Sequence, residues 1–144
     1  MTRKSLKVIF DTNVWISFLI GKRLGIIKQY LSAGSISIVM TEQLITELKI
    51  VTSRDKLKKY FPKESVSELI ELLKIISQTF EIQPTHFDSR DPKDNFLLDL
   101  IDSSQADYLV TGDKGLLELN PFKTAQIVSV SEFEKQIKKM RVNE

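Results

Sequence analysis

Short runs rich in β-branched residues alternate along the chain with stretches of helical periodicity, and this alternation limits the fold more than any other feature. Leu6–Phe10 (LKVIF) and Ile36–Met40 (ISIVM) are two such runs. Asp107–Thr111 (DYLVT) and Ala125–Val130 (AQIVSV) look alike, and Thr79–Ile82 is a weaker candidate. Helical patterns fill the intervals at about 13–33 (broken near Gly21), 42–60, 64–77, 93–105 and 131–140. Pro62 and Pro84 punctuate the chain, and Pro92 sits just before a helix start. Strands alternating with helices imply right-handed crossovers and a parallel sheet covered on both faces. The expectation is one α/β domain over residues 1–144, with a central sheet of about five strands.

Open sheets of this kind gather their sites at the carboxyl ends of the strands. Asp11 stands there, directly after the first run. It either caps the helix that follows or serves a site. Asp113 repeats the situation after DYLVTG, again with capping as the alternative. Asp94 shares a helical stripe with Leu97, Leu98 and Ile101, so it belongs to the first turn of the sheet-facing side. Asp99 falls about 140° away and is expected to be solvated. Glu47 borders the stripe Leu44, Leu48 and Val51, whereas Glu42 points outward as surface charge.

Asp11, Glu47, Asp94 and Asp113 thus offer up to four converging carboxylates. Left bare they repel one another, and some would hold protons near neutral pH. A hard divalent cation removes that repulsion, and an oxygen-only donor set suits Mg²⁺ or Mn²⁺. Such a site suits phosphodiester hydrolysis by activated water. Composition narrows the choices further. The chain has no cysteine and a single histidine, His86, which excludes disulfides, thiolate sites and multi-histidine zinc sites. Ser17 has no histidine to activate it. No apolar run approaches the ~20 residues of a membrane span, and the start carries no leader-like apolar region. A soluble, cytoplasmic protein is expected. The net charge of +2 advertises no strong overall field toward nucleic acid.

The chain resembles the PIN-domain ribonucleases, especially the branch described as toxins of toxin–antitoxin systems. The resemblance rests on VIFDTNVWIS, TEQLITEL, DPKDNFLLDLIDSSQADYLVTGDKGLL and IVSVSEF, in that order along nearly the whole chain. It implies a three-layer α/β/α sandwich, and an acidic quartet of Asp11, Glu47, Asp94 and Asp113 holding Mg²⁺ or Mn²⁺. It also implies that Asn13 and Thr111 support the site through hydrogen bonds, with Asp91 as a further supporting candidate. Asp107, typical of this branch, opens the fourth strand away from the carboxyl edge and is expected to be structural. The implied activity is metal-dependent RNA cleavage leaving 5′-phosphate and 3′-hydroxyl ends. The implied partners are RNA, a small antitoxin protein and a second copy of the chain.

Other features fit bland roles. Lys56, Lys58 and Lys59, and Lys135, Lys138, Lys139 and Arg141, are read as solvated basic faces rather than phosphate contacts. Arg90, Lys93 and Lys114 flank the acids and could meet RNA phosphates or offset the carboxylates. Trp15 and Phe18 are expected in the core or a dimer interface, and His86 is given no catalytic role. The competing function is a non-catalytic module of the same fold that binds RNA or protein without cutting. A phosphoacceptor domain is remote, since Lys4–Ser5 rather than an acidic pair leads into the first strand and Ser131-Glu132-Phe133 directly follows the last one.

Overall fold

The strand Leu6–Phe10 (β1) lies at the centre of a five-stranded, all-parallel sheet. The structure is a computed structural model and describes residues 5–20, 29–30, 34–54, 59, 63–82 and 95–142. After β1 come helix α1 (Thr12–Ile20), strand β2 (Ile36–Met40), helices α2 (Glu42–Thr52) and α3 (Lys63–Ile76), and strand β3 (Gln78–Thr79). Helix α4 (Asn95–Ser104), strand β4 (Tyr108–Val110), the short helix α5 (Lys114–Leu117), strand β5 (Gln126–Val128) and helix α6 (Val130–Val142) follow. The strand order is β3-β2-β1-β4-β5. The chain therefore builds outward from β1 on one side, then crosses back to lay β4 on the other. That reversal makes the carboxyl edge between β1 and β4 the topological switch point, where α/β sheets open a crevice.

Burial explains why the sheet is parallel and enclosed. Val8, Ile9 and Phe10 are each 0% exposed although their side chains alternate between faces, so both faces of β1 are covered. Register carries this across the sheet, with Val8 opposite Tyr108, Ile9 opposite Leu109 and Phe10 opposite Val110. On the Phe10 face the packing is aromatic. Trp15 and Phe18 of α1 and Phe133 of α6 all stand edge-on to Phe10, with ring centroids 5.2, 5.7 and 5.7 Å away. Phe133 also meets Tyr108 at 5.4 Å. Trp15 and Phe18 are thus core residues. This α/β sandwich is the expected architecture.

Several boundaries move for local reasons. The helix expected to reach residue 60 closes at Thr52, where the Thr52 and Ser53 hydroxyls donate back to the carbonyls of Leu48, Lys49 and Ile50. The last strand stops at Val128, because the Ser129 hydroxyl accepts the Glu132 N–H and starts α6. The weak strand is shifted to Gln78–Thr79, paired with Val39 and Met40. The break near Gly21, together with Pro62, Pro84, Pro92, Lys56, Lys58 and His86, lies outside the described residues.

One expectation is overturned. Asp99 is buried, not solvated. Every residue of α4 from Phe96 to Ile101 is buried, so this helix is enclosed on nearly all sides and has no wet face at that position. Asp99 is not bare there, since it is engaged with other groups. Asp107 behaves as expected. Its carboxylate accepts the Lys7 N–H at 2.8 Å, its own N–H donates to the Lys7 carbonyl, and its carbonyl accepts from Gln126. It pins the starts of β1, β4 and β5 together, at the sheet edge opposite the switch point.

Candidate active site

Asp11 is delivered by the last backbone step of β1. Its N–H donates to the Val110 carbonyl at 3.0 Å, extending the ladder with β4 by one rung. Its carbonyl accepts from Val14 and Trp15, which starts α1, and its carboxylate accepts the N–H groups of Thr12 and Asn13. The capping role is therefore real. It does not use up the carboxylate, however, since Oδ2 also accepts the Thr111 hydroxyl at 2.7 Å from the far side of the switch point.

Thr111, fully buried, continues the connection. Its Oγ1 accepts the N–H of Asp113 at 3.1 Å. Asp113 in turn caps α5, with Oδ2 accepting from Leu116 N–H at 2.8 Å. On the other side of Asp11 sits Thr12, which is buried and whose hydroxyl donates to Glu47 Oε2 at 2.9 Å. Glu47 comes from α2, where Leu44 and Leu48 turn inward and leave it half-buried at the border of their stripe. Glu47, Thr12, Asp11, Thr111 and Asp113 thus form one continuous polar chain, which links the carboxylates of Glu47 and Asp11 and the main-chain N–H of Asp113.

The electrostatics of that chain are strained at its centre. Burial raises the pKa of Asp11 above the ordinary carboxylate range. The negative charge of Asp113 pushes the same way. The Thr111 hydroxyl and the N–H groups of Thr12 and Asn13 oppose the rise without cancelling it. An ionised Asp11 is therefore short of positive charge, which is the condition a bound cation would relieve. The available donors are carboxylate and hydroxyl oxygens only, a set that fits Mg²⁺ or Mn²⁺ and not a thiophilic metal. Among the described residues, no three acidic or histidine side chains are grouped so as to hold a metal ion by themselves. Asp94 and Asp91 lie outside the described residues, as do Arg90 and Lys93.

Asn13 is exposed, and its part at the site is a backbone N–H to Asp11. The neighbouring Thr12, which sequence reasoning passed over, carries the side-chain link instead. The available signal was its position between two residues already singled out. Lys114, beside Asp113, is exposed, and so are Lys59, Lys135, Lys138 and Lys139.

The segment from Lys7 to Gly115 matches the family model for the PIN domain. The chain belongs to the PIN domain family. The match covers β1 through the start of α5, and so holds every acid just described, while β5 and the whole of α6 lie beyond it. PIN domains are generally nucleases, and PIN nucleases generally use divalent metals. No curated protein matches the chain. No described helix of this PIN domain is long and apolar enough to cross a membrane.

Proposed function

We propose that this PIN domain is a divalent-metal-dependent endoribonuclease, with Mg²⁺ or Mn²⁺ held by Asp11, Glu47, Asp113 and Asp94. The observation that carries the reading is the buried, charge-disfavoured carboxylate of Asp11, wired through Thr12 and Thr111 to two further acids at the switch point. Perturbed acids of this kind collect at functional sites. A bound cation would supply charge neutralisation and an activated water for attack on phosphorus. The chain's own contribution is to fix the carboxylates. The α1 and α5 N-termini hold Asp11 and Asp113 through backbone N–H groups, the Thr111 hydroxyl ties Asp11 to the main chain of Asp113, and the Thr12 hydroxyl holds Glu47. RNA as the substrate, the toxin role, a small antitoxin as partner and the homodimer rest on the resemblance of the DPKDNFLLDLIDSSQADYLVTGDKGLL segment to toxin PIN domains.

The test is cleavage of a panel of single-stranded and structured RNAs in Mn²⁺ by the wild type and Asp11→Asn. Cuts made by the wild type, reduced at least about 100-fold in the variant and abolished by EDTA, support the reading. Tight RNA binding with no turnover in either protein would replace it with the non-catalytic binding module.

A further inference from the structure

We propose that Thr12 is the positioning residue for Glu47, holding its carboxylate to the group formed by Asp11 and Asp113. The proposal rests on the metal-site reading above. Asp11 and Asp113 are each held by main-chain N–H groups, from Thr12 and Asn13 in one case and Leu116 in the other. Those donors survive any side-chain change. Glu47 joins the group differently, through the Thr12 hydroxyl 2.9 Å from Oε2.

Thr12 is suited to this task. It occupies the first position of α1, so its own N–H is fixed on Asp11 while its hydroxyl reaches α2, 35 residues along the chain. A β-branched side chain in a helix keeps few χ1 states, so the hydroxyl is held in place before any ligand arrives. Thr12 is also buried, which shields the bond from competing water. Glu47 brings three rotatable bonds from a helix that it only half-buries. Packing of Leu44 and Leu48 sets the rotation of α2 but not the direction of a long, flexible carboxylate. The hydroxyl proton gives that carboxylate one preferred direction. Thr12 thereby links two acids from different elements, through its N–H to Asp11 and its hydroxyl to Glu47.

The test is a calorimetric titration of Mn²⁺ into the metal-free protein of 144 residues, with and without an uncleavable oligonucleotide analogue. The melting temperature of each variant is recorded alongside. Thr12→Val keeps the shape and removes the donor, and should weaken Mn²⁺ binding on the order of 10-fold. Thr12→Ser keeps the hydroxyl and should stay within about threefold of wild type. Glu47→Gln should weaken binding as well, and adding Thr12→Val to it should change affinity less than about twofold, because the carboxylate that the hydroxyl positions is gone. Thr12→Ala serves as the donor-free variant should the valine protein fail to fold. The proposal is overturned if the donor-free variant binds Mn²⁺ like wild type while Glu47→Gln does not. It is also overturned if the loss is equally large in the Glu47→Gln background, or if serine fails to rescue. Absence of Mn²⁺ binding by the wild type in both conditions would instead defeat the metal-site reading itself, and this inference with it.

Discussion

Asp11→Asn should stabilise the metal-free protein and abolish its response to metal. In the folded chain Asp11 is 6% exposed, and burial is the largest influence raising its pKa. The asparagine gives up part of the bonding to Thr111, Thr12 and Asn13, a loss of about 1.5–3 kcal/mol for bonds to a charged acceptor. It also removes an ionised group from an enclosed position, whose penalty is several kcal/mol after relaxation. The direction of the pKa change says which side prevails: the fold favours the neutral carboxyl. The net gain at pH 7.5 should be on the order of 1 kcal/mol, or about 3 °C in Tm for a chain of this length. The pH dependence follows from the same sign. A raised folded pKa means that the group's contribution to stability is fully present below its unfolded value, near ~4, and is lost as pH rises through the folded value. The advantage of the variant should therefore open as pH rises above about 4 and then level off. Thermal melts in EDTA at pH 4.5 and 7.5 measure it. With Mn²⁺ at about a hundred times its Kd the order should reverse, the wild type gaining about 2.7 kcal/mol and the variant little. A variant destabilised equally at both pH values, with the same Mn²⁺ response as wild type, would reduce Asp11 to a helix cap.

The remaining predictions separate support from function in the same way. Asp113→Asn retains a good capping side chain for α5 and should melt near wild type, whereas Asp113→Ala should lose about 1 kcal/mol; both should lose nuclease activity. Asp107→Ala removes the acceptor of the Lys7 N–H at the opposite edge, and should cost about 1–3 kcal/mol in urea unfolding while leaving Mn²⁺ binding unchanged. Phe133→Ala deletes a ring packed on both Phe10 and Tyr108, and should cost about 3–5 kcal/mol, or roughly 10 °C in Tm. A small loss there would mean that α6, beyond the family match, is not part of the core.

The central strands were legible to the residue because they are buried on both sides. Leu6–Phe10 and Ile36–Met40 are apolar runs each interrupted once, by Lys7 and by Ser37, and a strand enclosed by helices on both faces needs little else in its sequence. The margins were not legible in the same way. Whether α2 ends at Thr52 or continues depends on two hydroxyls choosing nearby carbonyls, and composition does not record that choice. Asp99 failed for a different reason. The helical wheel assumes one wet face, and the burial of Phe96, Leu97, Leu98, Leu100 and Ile101 around it shows a helix with hardly any. Periodicity gives the direction in which a residue points; it does not say whether solvent is there.

At the site, the contrast between Asn13 and Thr12 shows where sequence reasoning stops. Strand ends placed Asp11 and Asp113, and the Leu44–Leu48 stripe placed Glu47, because each position follows from a backbone direction. The supporting bonds depend on side-chain direction across long separations: 35 residues for Thr12 to Glu47, and 100 for Thr111 to Asp11. The opposition of capping and site roles also dissolves in the structure. Asp11 and Asp113 are both helix caps, and capping orients each carboxylate at the switch point. A cap holds a carboxylate rigidly with main-chain donors while leaving acceptor capacity over. That is an economical way to present acids that must stay close together despite repelling one another. The raised pKa of Asp11 comes chiefly from its burial at the switch point, and the charge of Asp113 adds to it.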